Sequence, residues 1–126
     1  MIRVLVADDH PLMRKGIRGV LEDHQDVSIV GEASNGLEAV SYARSLKPMV
    51  IIMDISMPHM DGVQATRLIK QNHPGISIVG LSVDDSEYMK QALLAAGAIS
   101  YINKRDTAEG LYHVIMEAIR SPRRSA

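Results

Sequence analysis

Short β-branched runs alternate with helical patterns along the whole of this chain, and that alternation restricts the fold more than any single residue does. Strand-like runs cover residues 3–7, 27–33, 49–53, 76–82 and 99–102. Each is followed by apolar residues at helical spacing. The first four sets are Met13, Ile17 and Val20; Ala39, Val40, Ala43 and Leu46; Ala65, Leu68 and Ile69; and Met89, Ala92, Leu93 and Ala96. The last is Ala108, Leu111, Tyr112, Ile115 and Ile119. Pro11 opens the first helix where its missing N–H costs nothing. Asn35 with Glu38, Asp61 with Gln64, Asp84 with Glu87 and Asp106 with Glu109 read as capping pairs. Pro74-Gly75 and Gly97 are stop signals. Five βα units of this kind demand a parallel sheet with right-handed crossovers and helices on both faces, an α/β three-layer sandwich.

A chain of 126 residues with 46% hydrophobic and 23% charged residues is one ordinary globular domain. The formal net charge of -1 gives no reason to expect nucleic-acid or membrane binding by this segment. The absence of cysteine excludes disulfides and thiolate metal sites. No apolar stretch approaches a membrane span, and Met1 leads straight into the first strand without a signal peptide, so the expected location is the cytoplasm. No repeat or linker interrupts residues 1–120, the expected domain. Residues 121–126, Ser-Pro-Arg-Arg-Ser-Ala, have no apolar face and read as a tail or the start of a linker to an effector domain beyond this chain.

Where the strands stop is chemically specific. Asp8 and Asp9 close the first run, and Asp54 closes the third. In an open parallel sheet, ligands bind beyond the carboxyl ends of the strands, where the winding reverses. With strand order 2-1-3-4-5 that reversal lies between the first and third strands. Asp8, Asp9, Asp54, Ser82 and Lys104 are then expected in one pocket. Clustered carboxylates repel one another unless a cation joins them. Hard oxygen donors without imidazole or thiolate suit Mg²⁺, whose retained waters leave room for phosphoryl oxygens. A carboxylate there can attack phosphorus, Lys104 supplies a mobile positive charge, and Ser82 a further hydrogen bond. Phosphoryl transfer needs little beyond such positioning and charge stabilisation.

These residues carry a resemblance. Asp8-Asp9, the segment Asp54-Ile55-Ser56-Met57-Pro58-His59-Met60-Asp61-Gly62, Leu81-Ser82, Ala95-Ala96-Gly97-Ala98 and Tyr101-Ile102-Asn103-Lys104 stand at spacings similar to those of the receiver domain of bacterial two-component response regulators. The resemblance covers residues 1–120. Asp8-Asp9-His10-Pro11 and Ile29-Val30-Gly31-Glu32-Ala33 most resemble the NarL/LuxR-type subfamily, which couples the receiver to a helix-turn-helix domain. The resemblance implies a (βα)5 flavodoxin-like (CheY-like) sandwich and a phosphoryl group accepted by Asp54 from the phosphohistidine of a sensor histidine kinase. It further implies Mg²⁺ held by Asp8, Asp9, Asp54 and the Ser56 backbone carbonyl, phosphoryl binding by Lys104, and a switch pair of Ser82 and Tyr101. The domain would not be an enzyme acting on other molecules but a phospho-acceptor that catalyses its own phosphorylation and dephosphorylation. Output would pass through the face of the fourth and fifth helices, near Tyr88, Met89 and Leu93, to a phosphorylation-dependent homodimer. DNA would be reached only through the effector domain, and transcription is the expected process.

Two positions depart from the family pattern. Arg105 follows Lys104 where many members have proline, and a cis bond there is costly without it. Val83 follows Ser82 where a small residue is common, and a branched side chain at the mouth would slow access of donor or water.

Plainer readings compete at each position. Asp8-Asp9 alone could be helix-start charges; Asp54 tips the balance to a site. Asp61 reads as a helix cap, and Asp84 and Asp85 as caps or solvated charge, with Asp84 near enough to tune hydrolysis. His10 and His59 read as loop histidines, since imidazole is unnecessary for Mg²⁺. Tyr42 and Tyr112 read as partly buried helix residues, and Met49, Met53, Met57 and Met60 as packing. A metal-dependent phosphatase would share the aspartyl chemistry, but would place its nucleophile on the first strand beneath a cap domain. A flavin carrier would share the fold, but the chain has no tryptophan and its phosphate loop is acidic. Nucleotide hydrolysis lacks its Gly-rich loop.

Overall fold

In the computed structural model, residues 1–83 and 86–120 are described. Five strands, β1 (Ile2–Ala7), β2 (Val27–Ala33), β3 (Val50–Asp54), β4 (Ser77–Ser82) and β5 (Ser100–Asn103), alternate with five helices. These are α1 (Pro11–Glu22), α2 (Gly36–Leu46), α3 (Gly62–Asn72), α4 (Glu87–Ala96) and α5 (Thr107–Arg120). The strands form one parallel sheet in the order β2-β1-β3-β4-β5, so the winding reverses between β1 and β3.

Strand alternation sorts the core into two layers. Leu5, Ala7, Ile51, Met53 and Ile78 face one side, where Ala39 and Ala43 of α2, Ala65 and Ile69 of α3 and Leu93 of α4 cover them. Val4, Val6, Val50, Ile52, Val79 and Leu81 face the other, beneath Ile17 and Leu21 of α1 and Leu111 and Ile115 of α5. Burial of each large aliphatic side chain contributes about 1.5–3 kcal/mol. Both faces being covered explains the near-continuous apolar strands. The β1–β2 register shifts between Val4 and Leu5, so that Leu5 lies opposite Gly31. A Cβ at Gly31 would come within 2.6 Å of Leu46 Cδ1, so glycine admits α2 there.

The element boundaries carry local corrections. Ser86 caps α4, accepting from the Met89 N–H at 3.3 Å. Asp84 and Asp85, with residues 121–126, lie outside the described residues, so the readings placed on them do too. Asp106 does not cap α5 from outside. It belongs to a 3₁₀ turn, Lys104–Asp106, that runs straight into the helix and is opened by Asn103, whose side chain accepts from the Arg105 N–H at 3.0 Å. Leu68 is 37% exposed, because α3 turns Val63 and Thr66 inward together with Ala65 and Ile69. Met49 lies outside β3 and is largely exposed, although its N–H donates to the Arg3 carbonyl at 2.8 Å. The Asn35 and Asp61 caps form as expected, the latter as a full box with Gln64. No helix among the described residues is long and apolar enough to cross a membrane.

Candidate functional site

The site is assembled by strand register. Ala7 pairs with Met53, so the residues that follow, Asp8 and Asp54, leave the sheet side by side. Asp54 in turn pairs with Leu81, and Ser82 with Asn103, which brings Ser82 and Lys104 to the same edge. Asp8 is fully buried and Asp54 is 3% exposed. Lys104 Nζ lies 3.0 Å from Asp8 Oδ2 and 3.2 Å from Asp54 Oδ2, one ammonium shared by two carboxylates. Asp8, Asp9, His10 and Asp54 each offer one donor atom, and these atoms all lie within 4.8 Å of one another. A cavity of about 140 Å³ opens over Asp54 and Lys104, with Ser56, Ser82 and Val83 in its wall. A larger hollow of about 490 Å³ lies at the opposite end of the sheet, near Pro48, Gly75 and Ile119, and no carboxylate lines it.

The charges explain one another. Burial and, next, the Asp8 charge raise the Asp54 carboxyl, Lys104 only partly offsets them, and the net pKa is about 6. Burial works against the Lys104 ammonium, but its hydrogen bond to Asp8 and the charge of Asp54 outweigh that and hold its pKa above the ordinary lysine range. Asp8 Oδ2, Asp9 Oδ1 and Asp54 Oδ2 are buried; Lys104 Nζ faces the first and third and His10 Nδ1 the second, so one ammonium stands against three carboxylates. Three oxygen donors left in this state fit a hard divalent cation, which would supply the missing positive charge.

The surrounding backbone is tightly specified. Gly62 donates its N–H to the Ile55 carbonyl at 2.8 Å, and a Cβ on it would lie 2.0 Å from the Asp54 carbonyl oxygen. Glycine is therefore required for α3 to start against the end of β3. Lys104 enters the pocket from the 3₁₀ turn after β5, and the described residues contain no cis peptide bond, so arginine at position 105 is accommodated in trans.

Of the five side chains expected in the pocket, Asp54, Ser82 and Lys104 line this cavity together with the exposed Ser56, while Asp8 and Asp9 cluster with Asp54 beside it. Tyr101 does not line that cavity. It is half-buried in a neighbouring hollow with Ser82, Lys90, Asn103 and Arg105, and Lys90 Nζ stands 5.0 Å from its ring centroid. Two features escaped the sequence reading. His10, expected as a bystander, turns its Nδ1 to within 3.0 Å of Asp8 Oδ1 and 3.1 Å of Asp9 Oδ1. Arg14 donates from Nη1 to the Asp8 carbonyl at 2.6 Å and from Nε to Glu32 at 2.9 Å. Arg18 also grips Glu32, at 2.7 Å, and this bond leads in holding the Glu32 carboxyl below its usual range. The i,i+4 arginines on α1 facing an acid on β2 were the available signal.

Residues 4–116 match the family model described as the response regulator receiver domain. The chain belongs to the response regulator receiver family. This receiver domain is 44% identical over 104 residues to the response regulator GacA of Pseudomonas protegens, a match covering 82% of the chain and 49% of GacA. It spans about half the length of the curated relatives it matches. Its fold superposes on the crystal structure of the response regulator domain of Thermotoga maritima CheB with a TM-score of 0.91 and 33% identity, covering 98% of this chain and 99% of that one. A LuxR-family two-component response regulator from Aurantimonas sp. superposes with a TM-score of 0.86 at 31% identity, covering 98% and 88%. These likenesses place the receiver among NarL/LuxR-type regulators.

Proposed function

We propose that this receiver accepts a phosphoryl group on Asp54 from a phosphohistidine of a sensor histidine kinase. The observation that carries the reading is the buried Asp54 carboxylate, held 3.2 Å from Lys104 and within one cluster with Asp8 and Asp9. An Asp54 oxygen attacks phosphorus as the P–N bond breaks and the electron pair returns to the donor imidazole. Asp54 must be ionised to attack, and with its pKa near 6 it is so at neutral pH. Lys104 balances charge on the transferred oxygens, and Ser82 donates to one of them. Asp8, Asp9, Asp54 and the Ser56 carbonyl are the groups to hold Mg²⁺, which supplies charge neutralisation at the transferring phosphoryl when bound. The same pocket, with water as nucleophile, returns Asp54 to its free form, so the domain governs its own state without acting on other molecules.

Phosphorylation adds roughly -1.5 to -2 charge. Ser82 moves toward it and Tyr101 turns into the space released, which shifts the α4-β5-α5 face toward self-association. On this reading residues 1–120 are the receiver module and residues 121–126 a tail or the start of a linker, with DNA and transcription reached only through an effector domain in the cytoplasm.

Intact-mass analysis after acetyl phosphate and Mg²⁺ tests this. Wild type gains one phosphoryl group and Asp54→Ala none; equal labelling of both would overturn the assignment. Val83, 67% exposed in the cavity wall, slows traffic on this reading, so Val83→Ala both labels and loses label faster.

A further inference from the structure

The chemistry at Asp54 makes no use of the hollow of about 490 Å³ at the other end of the sheet. That volume suits a small molecule, and the walls are aliphatic: Pro48, Met49, Ile76 and Ile119, with Ala43 behind them. No tyrosine lines it, and the chain has no phenylalanine or tryptophan, so the walls favour a flexible hydrocarbon chain over a flat aromatic ring.

The charge of this end is specific too. Helices α2, α3 and α5 end around the hollow, and the partial negative charge of their last carbonyls would repel an anion. The fold meets that charge with its own cations. Arg3 donates from both terminal guanidinium nitrogens to the Leu46 and Lys47 carbonyls at the end of α2. Lys70 Nζ holds the Pro74 and Ile76 carbonyls, each at 2.8 Å, beyond the end of α3. Lys47 is left over. It lines the hollow, it is exposed, and its ammonium has no hydrogen bond or ion pair among the described residues. Its backbone is left-handed, with φ 50° and ψ 58°, where it ends α2. Glycine takes that conformation without a side-chain clash, and a residue before proline is usually extended. A lysine therefore stands at this position against the local preference of the backbone, and its side chain is what it adds.

We propose that this hollow binds a small aliphatic carboxylate, a fatty acid of medium chain length. Its tail lies on Pro48, Met49, Ile76 and Ile119, and its head pairs with the Lys47 ammonium. His73, also in the wall, offers a ring nitrogen to the head.

Calorimetric titration of the full chain with sodium octanoate tests this. Wild type binds it saturably, and lengthening the chain from hexanoate tightens binding by up to about four-fold per methylene. Lys47→Gly lowers octanoate affinity at least about five-fold but leaves the binding of octanol, which has the same tail and no charge, unchanged. Its melting temperature stays level or rises, because glycine relaxes the left-handed turn. Arg44→Gln, beside the neighbouring hollow between α2 and α3 and not this one, binds octanoate as wild type does. Octanoate affinity unchanged in Lys47→Gly overturns the proposal, and so does an equal loss of octanoate and octanol, which would mean a collapsed hollow rather than a missing partner for the head. Heat without saturation in wild type, or uptake of an acidic leucine-rich peptide with no uptake of octanoate, removes the site.

Discussion

Asp54 is held in the folded protein against its own charge. Its pKa of about 6 lies above the value of 3.8 that it has outside the fold, so the native state binds more protons than the unfolded chain between those values. This term therefore favours the fold at low pH and is lost as pH rises through about 6, at a cost on the order of 3 kcal/mol. Asp54→Asn keeps the shape and removes the charge. Urea unfolding without divalent ions should find the variant more stable than wild type by that amount at pH 7.5, with the difference shrinking toward pH 4. A constant difference across this range would show that the carboxylate is not strained by its neighbours. The identities of these residues were legible because a β-branched run that ends on an acid marks both a strand and its exit. The position of His10 was not, because a three-residue link between strand and helix leaves no periodic trace, and its direction depends on one N–H finding Asp8.

At the scale of single elements, glycine and caps decide how closely the helices approach the site. Gly62 lets α3 begin against the Asp54 carbonyl, and Gly36 lets α2 begin against Met60, whose carbonyl would lie 2.1 Å from an added Cβ. Gly62→Ala pushes on backbone rather than on a flexible side chain. Thermal unfolding should report a loss of about 2–4 kcal/mol, in the range of other strained or overpacked sites, and phosphorylation by acetyl phosphate should slow because Asp54 is displaced. A fully stable, fully active variant would mean that α3 can retreat freely. The helix patterns were readable from spacing, but two of their starts were not. Acid-x-x-acid recurs at Asp84 and at Asp106, but α4 is capped by Ser86 and the turn that runs into α5 is opened by Asn103, neither of them an acid. Leu68 fell on the flank of α3, where the apolar stripe is wider than the buried arc, and periodicity alone does not find that edge.

For the molecule as a whole, the carboxylate pocket joins the ends of two central strands, and a cation there acts on the entire folding equilibrium. At a hundred-fold excess over its dissociation constant, Mg²⁺ should add about 2.7 kcal/mol, a rise in melting temperature on the order of 10 °C for a domain of this size. Asp9→Asn should blunt the rise, and an unchanged midpoint in wild type would mean that no divalent ion enters. Sheet order and layering were foreseeable from five alternating units, since covered parallel strands admit few arrangements. The division of the core into two layers has a mechanical outcome. Tyr101 and Leu93 belong to the layer beneath α2, α3 and α4, whereas α1 and α5 rest on side chains pointing the opposite way. On the proposed reading, a rearrangement around Tyr101 would start in the half that holds α4 and reach α5 only through β5, so the sheet works as a partition that the signal has to cross.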